Sequence, residues 1–545
     1  MQLHRPQRTG LVGLALAGVL LTAACSGADG KPGSPAAAGI KVTESLPAAT
    51  KSIDTLHWAL YAEPSSLDPI RSNDFPPMEV LANLCESLGR INPDFTISPA
   101  LATSWTNPDP TTWVYEIRAG VTFHSGAPLT ADDVAYSLNR NLDQKLGSNF
   151  GGVYENVKDI RATGPLEVTV RLKEPDALFN QSMATPAGRV LDKASTEKAG
   201  EAVGTPTGGI DCTGPYKLDE WKTGTSITLT RNDAYWDDSL KPHAAKVDFE
   251  FIRDPAARIN ALLSGQVDGS WLIPASGYGR LLSSSAGTLS FGRTSGSYVG
   301  MVTNLKGGLA DVRIRRALSM VINRPGLIKA AVASAAEPLK APASPGTWGY
   351  AQDTLKAGYD ALPDPGGSLK EAKALVDEAG LPKEPITVAV TSSQSEMPII
   401  GAEVARAGKA LGIDVRIKTL SADGYNALYS DAGARKGIDM IFSLWQTDFP
   451  DPTEIYQYLQ TTNYFNYAQW SDPTYDKLVS DASHTTDEAK RAELIVQAQK
   501  IAADAMIWVP LYAPFNSVFL SKGLTGAPTA AVQLNYPWAA TIGGK

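Results

Sequence analysis

The chain has 545 residues, 43% hydrophobic and 19% charged, a composition typical of a folded protein but too long for one core, so two or three domains are expected. A net charge of −8 leaves no basic field for a polyphosphate, and no basic stripe with interleaved aromatics occurs, which argues against nucleic acid as a partner.

The first residues read as a targeting segment. His4, Arg5 and Arg8 precede an apolar run at residues 11–24 that is too short to span a bilayer comfortably and so reads as cleavable. LTAAC resembles a bacterial lipobox, with Ala23 and Ala24 before Cys25, but Thr22 stands where Leu is commonest. Plain secretory cleavage near Ala24 is the alternative. A lipidated Cys25 would anchor the protein to the outer face of the cell membrane, and no later run is long and apolar enough to insert. Residues 26–51, rich in Gly, Ala, Pro, Ser and Thr, read as a flexible tether reaching on the order of 30 Å. Only Cys85 and Cys212 remain after processing. An oxidising compartment points to a disulfide rather than two free thiols, and neither cysteine has metal-ligand spacing.

Residues 56–61 form the first expected strand, followed by a loop carrying Glu63, Pro64, Ser65, Ser66 and Asp68. A helix is expected at 77–88, with Cys85 on its buried face. Trp113, Tyr115 and Ile117 alternate as a half-buried strand, and Thr130 with Asp133 makes a capping-box-like helix start. His124 has no nucleophile elbow or cysteine nearby and reads as a structural turn histidine. Residues 166–172 alternate as a strand, 214–221 and 226–231 as a hairpin, and Val247, Phe249 and Phe251 as a further strand. Helices follow at 255–264, at 369–379 behind the Ser368/Glu371 capping box, after Asp472 and Pro473, and at 486–505, with a strand at 507–512.

The stretch DMIFSLWQTDFPDP, residues 439–452, is the candidate centre. Met440 to Trp445 is a nearly unbroken apolar run, the mark of a strand buried on both faces, and Pro450 and Pro452 end it. Asp448 then lies just past the strand's carboxyl end, where open α/β sheets bind ligands. A carboxylate beside Trp445 and Phe449 can take a cationic group on one side and apolar surface on the other; a turn-capping loop aspartate is the plainer reading. The elements before it, a strand at 386–391, a helix at 396–411, a strand at 413–420 with Ile413, Val415 and Ile417 inward, and a helix at 422–430, make a β-α-β-α-β unit with parallel pairing.

Several stretches in order, among them SSLDP (65–69), CESL (85–88), PALATSW (99–105), TGPYKL (213–218), VRIRRALSMVINR (312–324) and LWQTDFPDP (444–452), resemble the family 5 extracellular solute-binding proteins of bacterial ABC importers. The resemblance implies a two-lobed α/β clamp of the type II periplasmic-binding-protein kind. Lobe I would comprise residues 52–88, 204–273 and 509–545, with an extra subdomain at 89–203; lobe II would be 274–508. It also implies a monomeric receptor without cofactor or metal, passing a peptide to membrane permease subunits. By resemblance Asp448, in the W-x-x-D segment starting at Trp445, meets the peptide's α-ammonium, Glu63 to Ser66 line the first-lobe side, and Tyr512 is an aromatic beside the second crossing. A nickel chelate, oligosaccharide or haem are alternative solutes. A secreted hydrolase using Asp448 or Glu63 is a separate alternative, as two carboxylates across a cleft can hydrolyse, and a surface adhesin or chaperone is a third.

Overall fold

A computed structural model describes residues 40–545; Cys25, its lipobox and residues 26–39 of the expected tether lie outside the described residues. Two sheets organise the chain. The first orders its strands Gly287–Gly292, Asn516–Ser521, Gly269–Trp271, Ile53–Leu60, Ala244–Phe251, Ser226–Arg231, Tyr216–Lys222. Ile53–Leu60 pairs in parallel with both of its neighbours, and the expected hairpin forms its far edge. The second orders Ala336–Pro338, Trp508–Pro514, Ser297–Val302, Met440–Trp445, Ile386–Thr391, Val415–Leu420. In it Ile386–Thr391 lies parallel to Val415–Leu420 and to Met440–Trp445, with helices Glu396–Leu411 and Ala422–Ser430 in the two connections. A four-stranded antiparallel sheet, drawn from Ala102–Asp109, Thr112–Ile117, Val157–Gly164 and Glu167–Leu172, has its own core around Tyr115, Val134 and Val168.

Strand membership moves the expected crossings. Gly287–Gly292, expected in lobe II, is an edge strand of the first sheet, so the chain passes between sheets at 293–296; Trp508–Pro514 stays in the second sheet and the return falls at 515. The two crossings are tied together, the Thr294 hydroxyl donating to the Pro514 carbonyl at 2.9 Å. Residues 40–51 are also not a free tether. Backbone bonds from Thr43 to Phe291, Leu46 to Ala527 and Thr50 to Gly544 lay this stretch along the first sheet and the C-terminal segment, and Leu46 packs on the core. A chain without side-chain periodicity is held there by its main-chain groups.

Local signals explain most boundaries. Both capping boxes form, at Thr130/Asp133 and Ser368/Glu371. The helix expected at 77–88 starts earlier and ends earlier, at Phe75–Leu84, because Asp74 caps it and Pro76 and Pro77 fit its first turn, where no N–H partner is needed. Cys85 is its buried C-cap residue and is bonded to Cys212, with Cα atoms 4.9 Å apart. Val415–Leu420 is an edge strand, so Ile417, expected inward, is 43% exposed.

His124 sits in a turn with Nε2 3.1 Å from the Gly214 carbonyl, and burial pushes its imidazole down from 6.5 to about 4. Between those values the unfolded chain binds a proton that the folded chain refuses, so stability falls as pH drops through this window. His124→Gln, which can still donate to Gly214, is expected to remove up to ~1.4 kcal/mol per pH unit of that slope. Chemical unfolding of both proteins between pH 7 and 4 checks this; parallel curves would contradict it.

Candidate functional site

Met440 to Phe442 are buried in the second sheet, and the chain leaves the strand at Trp445 into a loop that faces the first lobe. The loop is fixed from behind. Asp451, fully buried, accepts from the Tyr350 hydroxyl at 3.0 Å and the Thr453 N–H at 2.9 Å, and its other oxygen stands 3.1 Å from Nε of buried Arg491. That last contact is an ion pair rather than an aligned hydrogen bond. From the front, Phe449 inserts among Ile91, Phe95, Leu178 and Ala184 of the subdomain and Ala530 and Val532 of the C-terminal segment. Ser295, in the first crossing, donates to the Thr447 carbonyl at 3.2 Å.

These contacts enclose a cavity of about 170 Å³. Its walls come from the helix that starts at Phe75 (Asn73, Phe75, Met78), from the subdomain (Ile91, Phe95, Phe150, Thr185, Pro186), from Gln446 to Pro450, and from Ala531 and Gln533 to Asn535. Asp448 is on this wall. Its side chain remains accessible to cavity water and, among the described residues, no donor bonds its carboxylate, while the surrounding protein holds the group above the usual range by burial. Only the Asp448 N–H is engaged, donating to Glu454 at 3.0 Å. Burial first, then the nearby Asp448 charge, push buried Glu454 well up, favouring its protonated form. The loop thus presents one negative charge, at Asp448, rather than two.

The other expected contacts are placed differently. Trp445 turns away from the cavity into an aromatic cluster with Tyr458, Phe465 and Trp508, at centroid distances of 4.8, 4.8 and 5.2 Å. Tyr512 is fully buried and stacked on Tyr298 at 5.1 Å, within the second sheet. Glu63 accepts from Trp221 Nε1 and the Gly224 N–H, both at 3.0 Å, which binds it to the hairpin turn of the first sheet. Pro64 is buried, Ser65 faces solvent and Ser66 accepts from the Asp68 N–H, so none of the four lines the cavity. The reason lies in Asp68, which makes a buried bidentate pair with Arg140 at 2.9 and 2.8 Å, and in Gly204, where a Cβ would stand 2.0 Å from the Asp68 nitrogen. The loop is clamped to the subdomain, and the chain reaches the cavity only at Asn73, Phe75 and Met78. Met78 falls within the helix expected at 77–88, whereas Phe75 lies ahead of it and no local signal marks it as a cavity residue. Among the described residues no group of three His, Cys, Asp or Glu side chains is placed to hold a metal.

The cavity lies between the two sheets' loops and carries one carboxylate with no donor among the described residues, on a wall of mixed polar and apolar side chains. Residues 96–467 match the family described as bacterial extracellular solute-binding proteins, family 5 middle, and the chain belongs to it. It is 27% identical over 493 residues to the periplasmic murein peptide-binding protein MppA of Escherichia coli K12, covering 86% of this chain and 89% of that one. It is also 27% identical over 508 residues to the dipeptide-binding protein DppE of Bacillus subtilis 168, covering 87% and 90%. The unliganded open form of MppA superimposes with a TM-score of 0.78 at 25% identity over 92% of this chain and 98% of its own. The Helicobacter pylori protein DppA, in complex with the peptide STSA, gives 0.69 at 22% identity over 91% and 98%. The type II two-lobed clamp is thus the fold of this chain. No described helix is long and apolar enough to cross a membrane.

Proposed function

We propose that the chain is the receptor of an ABC importer that captures short peptides between its lobes and presents the closed, loaded form to membrane permease subunits. The observation that carries this reading is the unbonded Asp448 carboxylate on the interlobe cavity, flanked by Phe75, Met78 and Phe449: one anion for an α-ammonium, with apolar surface for side chains. A solute that touches both walls stabilises closure by its differential affinity, and no bond in it need change. The names of the relatives, which include murein-peptide and dipeptide binding, agree with this class. Calorimetric titration with a tripeptide and its N-acetylated form tests it: the free amine should bind far more tightly, and equal affinities would end the ammonium role.

The receptor would be held outside the membrane by lipidated Cys25, with residues 26–39 as the spacer to the folded part. Cys25→Ala should move the protein from the membrane fraction to the soluble fraction of cells; unchanged retention would remove the anchor.

A further inference from the structure

The subdomain reaches the second lobe at points that lie off the cavity as well as on it. At one of them the Ala177 N–H donates to the Ser483 carbonyl at 2.8 Å. Ser483 ends the helix Pro473–Ser483, whose last carbonyls have no partner within the helix. Ala177 is fixed from its own side. The Asp176 carboxylate accepts from the N–H groups of Leu178 and Phe179 at 2.9 and 3.1 Å, and the Asp176 carbonyl accepts from Trp113 Nε1 at 3.3 Å. Leu178, the next residue, shares a buried cluster with Phe449 of the second lobe.

The second point is the tip of the hairpin made by Gly89–Ile91 and Ile97–Pro99. Phe95 there has φ 66°, a left-handed conformation that a bulky residue keeps only where its surroundings impose it. Its carbonyl stands where a Cβ on Gly349 of the second lobe would come within 2.8 Å, so only glycine lets the two backbones approach this closely. Beside it the Asp94 carbonyl accepts from Gln352 Nε2 at 3.4 Å. Phe95 belongs to the Phe449 cluster as Leu178 does, so the two points are joined through Phe449. Ala177, Ser483, Gly349 and Gln352 form no part of the cavity wall. These four residues join the lobes through protein contacts alone.

We propose that the subdomain is a latch for closure, gripping the second lobe at Ala177–Ser483 and at Phe95–Gly349, so that part of the closed form's stability is independent of the solute. The groups at Ala177 and Ser483 return to water when the lobes part, which makes the bond a modest and reversible contribution. Closure then draws on two sources, solute bridging and direct contact, and apparent affinity scales with the fraction of protein able to close. The assignment rests on the receptor reading above and extends it to residues outside the solute cavity.

Calorimetry and stopped-flow dissociation of the full chain with Ala-Ala-Ala and Ala-Phe-Ala test this. Ala177 has φ −75°, which proline adopts, so Ala177→Pro removes the N–H without asking for a new backbone angle there. It is expected to weaken binding of both tripeptides by the same factor, roughly 2- to 12-fold, the range of one hydrogen bond, with the change appearing in the dissociation rate. Gly349→Ala, which sets a methyl against the Phe95 and Pro450 carbonyls, should act in the same direction from the other contact. If both variants match the wild type in affinity and dissociation rate, or if the loss differs between the two tripeptides, the latch is overturned and the Asp448 reading stands. If neither peptide binds the wild type, the receptor reading falls, and small-angle scattering without solute decides the latch alone: a wild type more compact than both variants keeps it, and equal curves overturn it.

Discussion

Asp448→Asn is expected to weaken binding of a peptide with a free amino terminus by about 30-fold to about 4,000-fold, the cost of truncating one partner of a desolvated charge pair at roughly 2–5 kcal/mol. The magnitude follows from the setting. Among the described residues no donor shares the Asp448 carboxylate, so a peptide ammonium would meet it without displacing a protein partner. The amide is nearly isosteric, and the loop is held from Asp451 and Phe449 rather than through the Asp448 side chain, so the fold should survive the change. N-acetylated peptides, already lacking the ammonium, should lose little. The pH dependence has a definite sign. Because burial raises the folded carboxyl above its ordinary range, free protein takes up a proton there sooner than a surface aspartate would, and affinity should begin to fall at a correspondingly higher pH. Titrations of both peptides against both proteins check the whole pattern; equal losses for free and acetylated peptides would contradict it.

The second large effect is structural. Asp451→Ala should lower stability by about 3–5 kcal/mol, because it leaves the Arg491 guanidinium buried without its counter-ion and strips the Tyr350 hydroxyl and Thr453 N–H of their acceptor. Breaking the exposed Lys477–Asp481 pair should cost well under ~1 kcal/mol. Urea unfolding compares the two, and similar small shifts would mean that Asp451 does not anchor the loop. Since Asp451 lies three residues past Asp448, the same variant should also weaken peptide binding at temperatures where it is still folded.

Sequence reading reached the elements whose signals are local. The apolar run at 440–445 became a buried strand because it is hydrophobic on both faces, the capping boxes formed because their partners lie three residues apart, and the parallel unit followed from strands separated by helices. It also put Asp448 at a strand's carboxyl end. Trp445 and Tyr512 read equally well as contacts, but their side of the strand and the stack on Tyr298 depend on which neighbours the sheet brings alongside. Glu63 to Ser66 failed as cavity residues for a similar reason: the hold of Arg140 on Asp68 spans 72 positions.

By itself the sequence determined one parallel β-α-β-α-β unit, several capped helices, a candidate anion on one loop and, through colinear motifs, the resemblance that implied the family and its two lobes. Which side chains meet across the cleft was decided only in the tertiary structure. The cavity is walled by Phe75, Phe95, Phe449 and Leu534, residues from separate stretches of the chain whose meeting no local pattern encodes. Likewise the Arg189 Nη1, buried with no acceptor among the described residues, lacks a partner only relative to what is folded around it. Periodicity is a property of neighbours along the chain, whereas charge compensation and enclosure are properties of neighbours in space.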